Sequence, residues 1–205
     1  ATLTTGTPKF SADGNITGFN ITQGNISIAG NGLNANSAGL LRLLSRNLSI
    51  DGQVNAQQLE AVTGANAYDY TTGKASAIAG TGAAAQYAID STLLGGLYAN
   101  RISLISTEQG VGVRMAGDAA ASAADFTLSA AGDIQLNNKI NAKQTINIQN
   151  ASSQQQKLNI QGGLTANNIS IGAANTQKLN VDVAGGTLYA GSALDIQSQA
   201  FNANN

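Results

Sequence analysis

A chain of 205 residues suits one large all-β domain or two small ones, and 42% hydrophobic residues suffice for a core; with only 4% aromatic residues, that core is built from Ile, Leu, Val and Ala. Only 10% of residues are charged and the formal net charge is −1, which gives no reason to expect nucleic acid or acidic lipid as a partner. There is no histidine and no cysteine, which removes disulfides, thiolate metal sites, the commonest general base and the commonest transition-metal ligand, and no cofactor is expected.

Residues 1–24 hold the only proline, Pro8, and read as a hairpin turning at Asp13-Gly14. Beyond them the dominant signal is alternation with period two: Ile26-Ser-Ile28, Leu48-Ser-Ile50, Ile102-Ser-Leu104, Phe126-Thr-Leu128, Ile146-Asn-Ile148, Ile169-Ser-Ile171 and Leu194-Asp-Ile196. Such short alternation predicts strands that bury one face. The run 40–48, LLRLLSRNL, fits a strand or a single helical turn. An aliphatic-x-Ala phrase recurs at Leu33, Val54, Leu97, Ile140, Leu164 and Leu188, with spacings of 21, 43, 43, 24 and 24 residues. A further strand follows five or six positions after each of the last five copies.

Repeats of 21–24 residues with three short strands predict a parallel β-helix, one coil per repeat, three strands per coil, about seven coils in a single domain spanning 1–205. At the inter-strand spacing the rod is about 35 Å long. Ala at the end of the third strand predicts a tight corner with no room for a larger inward side chain. The stretch 64–88, GANAYDYTTGKASAIAGTGAAAQYA, carries three of the five tyrosines and no coil phrase. It reads as an extra-helical excursion, a hairpin or small sheet on the outside of the rod. An antiparallel sandwich does not explain the three-strand phrase. The chain starts at Ala1 and runs to a polar FNANN segment, which predicts a fragment or processed product of something longer.

Chemistry is sparse. The eleven acids are scattered, and the closest grouping, Asp118, Asp125 and Asp133, reads as solvated turn residues rather than a carboxylate pair. Arg42 and Arg46 read as surface or corner hydrogen-bond donors. Arg101, Glu108 and Arg114 read as corner and edge residues of a scaffold. The candidate interaction surface is the aromatic cluster of the excursion, Tyr68, Asp69 and Tyr70 with Tyr87, since aromatics off the rod are not needed for its core. The alternative for the same residues is anchorage of the excursion. Two further readings stay open: a β-helical polysaccharide lyase or hydrolase, and a glycan-binding surface on the excursion.

The segments ATLTTGTPKF at 1–10, GNITGFNITQGNISIAGNGLNA at 14–35, VNAQQLEAVTGANAYDY at 54–70 and LLGGLYANRISLISTEQGVGVRMAG at 93–117 resemble the amino-terminal secretion domain of two-partner-secretion exoproteins of Gram-negative bacteria, the family of filamentous haemagglutinin and the contact-dependent growth-inhibition exoproteins. SAAGDIQLNNKINA at 129–142 is similar to haemagglutinin-type repeats. The resemblance implies a right-handed parallel β-helix that is not an enzyme, secreted or held at the bacterial cell surface. It also implies an outer-membrane β-barrel transporter as partner, with a stalk role in adhesion or toxin delivery toward a host or neighbouring-cell receptor. The family's NPNL and NPNG motifs, which normally precede a segment like ATLTTGTP, are not found in this sequence, so the expectation is a chain that starts part-way through the domain. Unpaired strand edges at a cut end predict end-to-end self-association.

Overall fold

The computed structural model describes residues 1–173 and 178–204. Asn205, the last residue of the FNANN segment, lies outside them. Alternation with period two gives each strand one apolar edge, and the chain buries it by winding into a parallel β-solenoid. The first face stacks Thr2–Thr4, Leu41–Leu44, Gln58–Thr63, Arg101–Ser106, Phe126–Ala130 and Thr145–Asn150, then the later parts of Gly163–Ala173 and Thr187–Ile196. The second face is an eight-stranded sheet from Asn25–Ile28 and Asn47–Ile50 through Tyr87–Ser91 and Gly112–Met115 to Ala200–Asn204. The third face carries the aliphatic-x-Ala phrases. All pairings in these stacks are parallel, so the sandwich alternative falls. The run 40–48 is strand on both sides of a corner, in Leu41–Leu44 and the start of Asn47–Ile50.

Among the described residues the second face has eight rungs, where repeat spacing predicts about seven. The last of them, Ala200–Asn204, reaches into the polar run, and Phe201 pairs with Val181 to continue the ladder.

Inward side chains form continuous columns. On the first face Ile102, Phe126, Ile146 and Ile169 lie in register, as do Leu104, Leu128, Ile148 and Ile171, and all eight are at most 1% exposed. Slipping one residue would turn every inward side chain outward, so the apolar pattern locks the register.

The corners explain the alanines. Val54–Ala56 is separated from Gln58–Thr63 by one residue, and Leu97–Ala99 from Arg101–Ser106 by one residue. Inside such a bend only a methyl group fits. Ala99 stacks in one column with Ala121 and Ala142, which end strands at wider corners of four and two residues. The three acids of the closest grouping cap the next rung: Asp118 accepts the Lys139 N–H at 3.0 Å, Asp125 that of Thr145 at 3.0 Å, and Asp133 that of Lys157 at 2.8 Å.

Off the rod, Thr7–Phe10 and Ile16–Ile21 form an antiparallel hairpin that turns through Gly14 at φ 80°. It joins Asn66–Asp69 and Ala75–Ala77 in a four-stranded sheet. Two boundaries shift. Thr2–Thr4 is the first rung of the solenoid, paired with Leu41–Leu44, rather than part of the hairpin. Tyr87 and Ala88 belong to the second face, because Tyr87–Ser91 pairs with Gly112–Met115 and Ala88 is fully buried.

Replacing Ala121 by Leu should overpack the corner and destabilise the protein by about 1–3 kcal/mol, whereas Thr127→Ala, on the outward side of a strand, should change stability by about 0.5 kcal/mol or less. Urea unfolding of the two variants beside the parent chain measures the contrast.

Candidate functional site

The excursion sheet is fastened to the solenoid at two places, and its sequence features meet there. In the first, Phe19, Ile21 and Tyr68 from the sheet pack on Leu44 and Val62, which project outward from the first face. Tyr68 is 1% exposed. Its hydroxyl donates to Glu60 Oε1 at 2.8 Å, while Glu60 Oε2 accepts from Arg42 Nε at 3.0 Å. Burial and the adjacent Glu60 carboxylate push the Tyr68 hydroxyl pKa up to about 12. Tyr70 stands at the rim, 39% exposed. Its ring is edge-on to Phe19 and Tyr68 at centroid distances of 6.1 and 6.4 Å, and the Arg42 guanidinium lies 5.0 Å from its centroid. The contact of its hydroxyl with Thr2 Oγ1, helped by Arg42, lowers its pKa.

The second fastening is a buried ion pair. Arg46 is 5% exposed and grips Glu108 with both ends of its guanidinium: Nε donates to Oε2 at 3.0 Å and an Nη to Oε1 at 2.7 Å. Glu108 Oε2 also accepts the Ala65 N–H at 3.0 Å, and Arg46 donates to the Thr81 carbonyl at 2.6 Å. The hydrogen bond from Arg46 holds the Glu108 carboxyl below its ordinary pKa, against the opposing effect of burial. Arg46, Ala65 and Glu108 follow three successive strands of the first face, so one ion pair ties three rungs to the segment after Ala75–Ala77. Two glycines make room. Gly64 has φ +82°, and a Cβ there would lie 2.6 Å from the Glu108 nitrogen; at Gly80 a Cβ would lie 2.5 Å from the Arg46 guanidinium carbon.

A family model described as "TPS secretion domain" matches residues 1–136. This chain belongs to the two-partner-secretion (TPS) secretion domain family. The chain is 49% identical over 142 residues to "tRNA nuclease CdiA-2" of Burkholderia pseudomallei (strain 1026b), covering 69% of this chain and 4% of that protein. It is 38% identical over 144 residues to "Filamentous hemagglutinin" of Bordetella pertussis (strain Tohama I), covering 66% of this chain and 4% of that protein. A solved structure, "Crystal structure of filamentous hemagglutinin secretion domain", superposes with a TM-score of 0.60 at 27% identity, over 99% of this chain and 59% of that one. The secretion domain thus spans about 4–5% of the length of the curated relatives it matches. The nuclease named for some of them is a property of those proteins; the shared region points to a secretion domain and not to an enzyme family. Proteins of this family are secreted and surface-associated, and membership implies an outer-membrane transporter as partner.

Within the secretion domain the four candidate residues separate. Tyr68 is an anchor, not an exposed contact, because its ring fills the seam between sheet and solenoid. Asp69 accepts the N–H groups of Thr71 and Thr72 at 2.9 and 2.8 Å, and hydrogen bonding from Thr72 above all holds its pKa low; it shapes the turn. Tyr70 offers a partly open face beside them. Tyr87 lies on the second face, in another sheet, under the Arg114 guanidinium at 4.7 Å. Arg46 is a corner hydrogen-bond donor, as its sequence position suggests, but its pairing with Glu108 is not expected from the sequence; the nearest signal is that Gly64-Ala65 and Glu108 lie in segments 54–70 and 93–117, both of which carry the family resemblance.

Glu108→Gln should cost about 1–3 kcal/mol, between the values for an exposed and a fully buried pair, because Arg46 is buried and Glu108 only partly so. Because the folded-state pKa of Glu108 is depressed, its contribution is complete above the ordinary value of 4.5 and is lost as pH falls through the lower folded value. Urea midpoints followed downward from neutral pH should therefore converge for the parent and Glu108→Gln proteins in acid and differ at neutrality.

Proposed function

We propose that this chain is the part of a much longer exoprotein that the outer-membrane transporter handles, and that it forms a folded β-helical platform outside the cell. The longer protein would serve adhesion or contact-dependent toxin delivery at a host or neighbouring-cell surface. The observation that carries the reading is the secretion-domain match over residues 1–136. Two features support it. The solenoid adds one rung at a time, each finished rung presenting backbone groups that template the next, so folding after translocation favours outward movement of the chain. The chain also lacks cysteine, which leaves nothing to cross-link it during threading.

Expression behind a periplasmic leader, with and without the transporter that serves the parent exoprotein, tests the reading. Protease-resistant β-rich chain should reach the medium only with the transporter; equal release in its absence overturns it.

A further inference from the structure

We propose that the second face carries a binding pocket for a neutral saccharide unit, formed where the excursion returns to the solenoid. This inference is independent of the secretion reading, since it rests on a folded surface and not on export.

The pocket has a volume of about 400 Å³, within the range of small-molecule sites, about 300–1,000 Å³. Its floor is the outward column Ser49, Asp90 and Arg114, which lie in register on three successive rungs. Asn25 and Asn47, paired rung to rung, line one side, and residues 85–87 line the other. The lining is mainly polar, and Asp90 and Arg114 are its only charged members. They neutralise each other through two hydrogen bonds, Arg114 Nε to Asp90 Oδ1 at 2.8 Å and an Nη to Oδ2 at 2.7 Å. A site with cancelled charge offers little to a phosphate or a metal ion. It offers much to a ligand whose hydroxyls both donate and accept: two Asn amides, the Gln86 amide, a serine hydroxyl, a carboxylate and a guanidinium.

The arrangement is held in advance. The Tyr87 ring lies between Arg114, 4.7 Å above its centroid, and Gly112, where a Cβ would stand 3.2 Å from the ring. The side chains of Arg114 and Asp90 nevertheless remain 42% and 35% exposed, open to a ligand. The chain leading to Gln86 is pinned upstream by Arg46, which holds the Thr81 carbonyl. Prior ordering of this kind lowers the entropic cost of binding. An ion pair this exposed adds little stability, so the fold itself gains little from Asp90 and Arg114.

Saturation-transfer NMR on the whole chain, with galactose, glucose, mannose, N-acetylglucosamine and sialic acid each at millimolar concentration, tests the proposal. At least one neutral sugar should receive saturation, and its affinity should fall by about tenfold or more in Asn47→Ala and in Arg114→Ala, with Asn141→Ala on the third face unchanged. Amide shifts induced in the parent chain by the same sugar should centre on Tyr87, Asp90 and Arg114, a readout that needs no variant to fold. Saturation of no neutral sugar, binding of sialic acid alone, shifts centred elsewhere, or affinity unaltered in both pocket variants would each overturn it.

Discussion

Everything in this molecule depends on parallel strands stacking in one register. A rung is held by backbone hydrogen bonds to the rungs on either side and by inward side chains that meet their own kind in the next coil, as Ile102, Phe126, Ile146 and Ile169 do. Because strand side chains alternate, a register error of one residue would bury the polar column and expose the apolar one. The error would be repeated along the stack, so the requirement is far stricter than in a sheet with a single partner. Corners inherit the constraint. Where a single residue joins two strands, as after Ala56 and Ala99, the corner is closed by a small side chain, and at wider corners backbone N–H groups are met by side chains of the neighbouring rung, among them Asp118, Asp125 and Asp133.

A stack of near-identical coils has no internal mark of position. The excursion sheet and its two fastenings supply one. The apolar seam of Phe19, Ile21 and Tyr68 can form only against Leu44 and Val62, and Arg46 can reach Glu108 only when three successive first-face strands are in place. Buried polar pairs of this type are costly to desolvate and are better suited to selecting one arrangement than to adding stability.

The aromatic cluster shows the limit of reasoning from composition. Clustered tyrosines outside a solenoid read as anchors first and as a recognition surface second, since both roles demand large rings near a surface. Three-dimensional placement divides them: Tyr68 is buried beneath Glu60 and Arg42, Tyr70 lies at the rim, and Tyr87 lies in the wall of a polar pocket on another sheet. The ion pair was harder to see. Arg46 and Glu108 are 62 residues apart in sequence, and no local pattern reports a contact made through the stacking of intervening rungs.

The solenoid is legible in the linear chain. Period-two alternation, the recurring aliphatic-x-Ala phrase and the 21–24-residue spacing are local or strictly periodic signals, and they specify strand, corner and coil without reference to anything distant. The roles of the irregular parts emerge only in three dimensions. The excursion at 64–88 and the hairpin in 1–24 have no period, and they join into one sheet because antiparallel pairing of Asn66–Asp69 with Ile16–Ile21 satisfies backbone groups that neither segment satisfies alone. The anchors and the pocket arise from side chains that meet only once every rung between them has been laid down, and sequence order carries no record of that meeting.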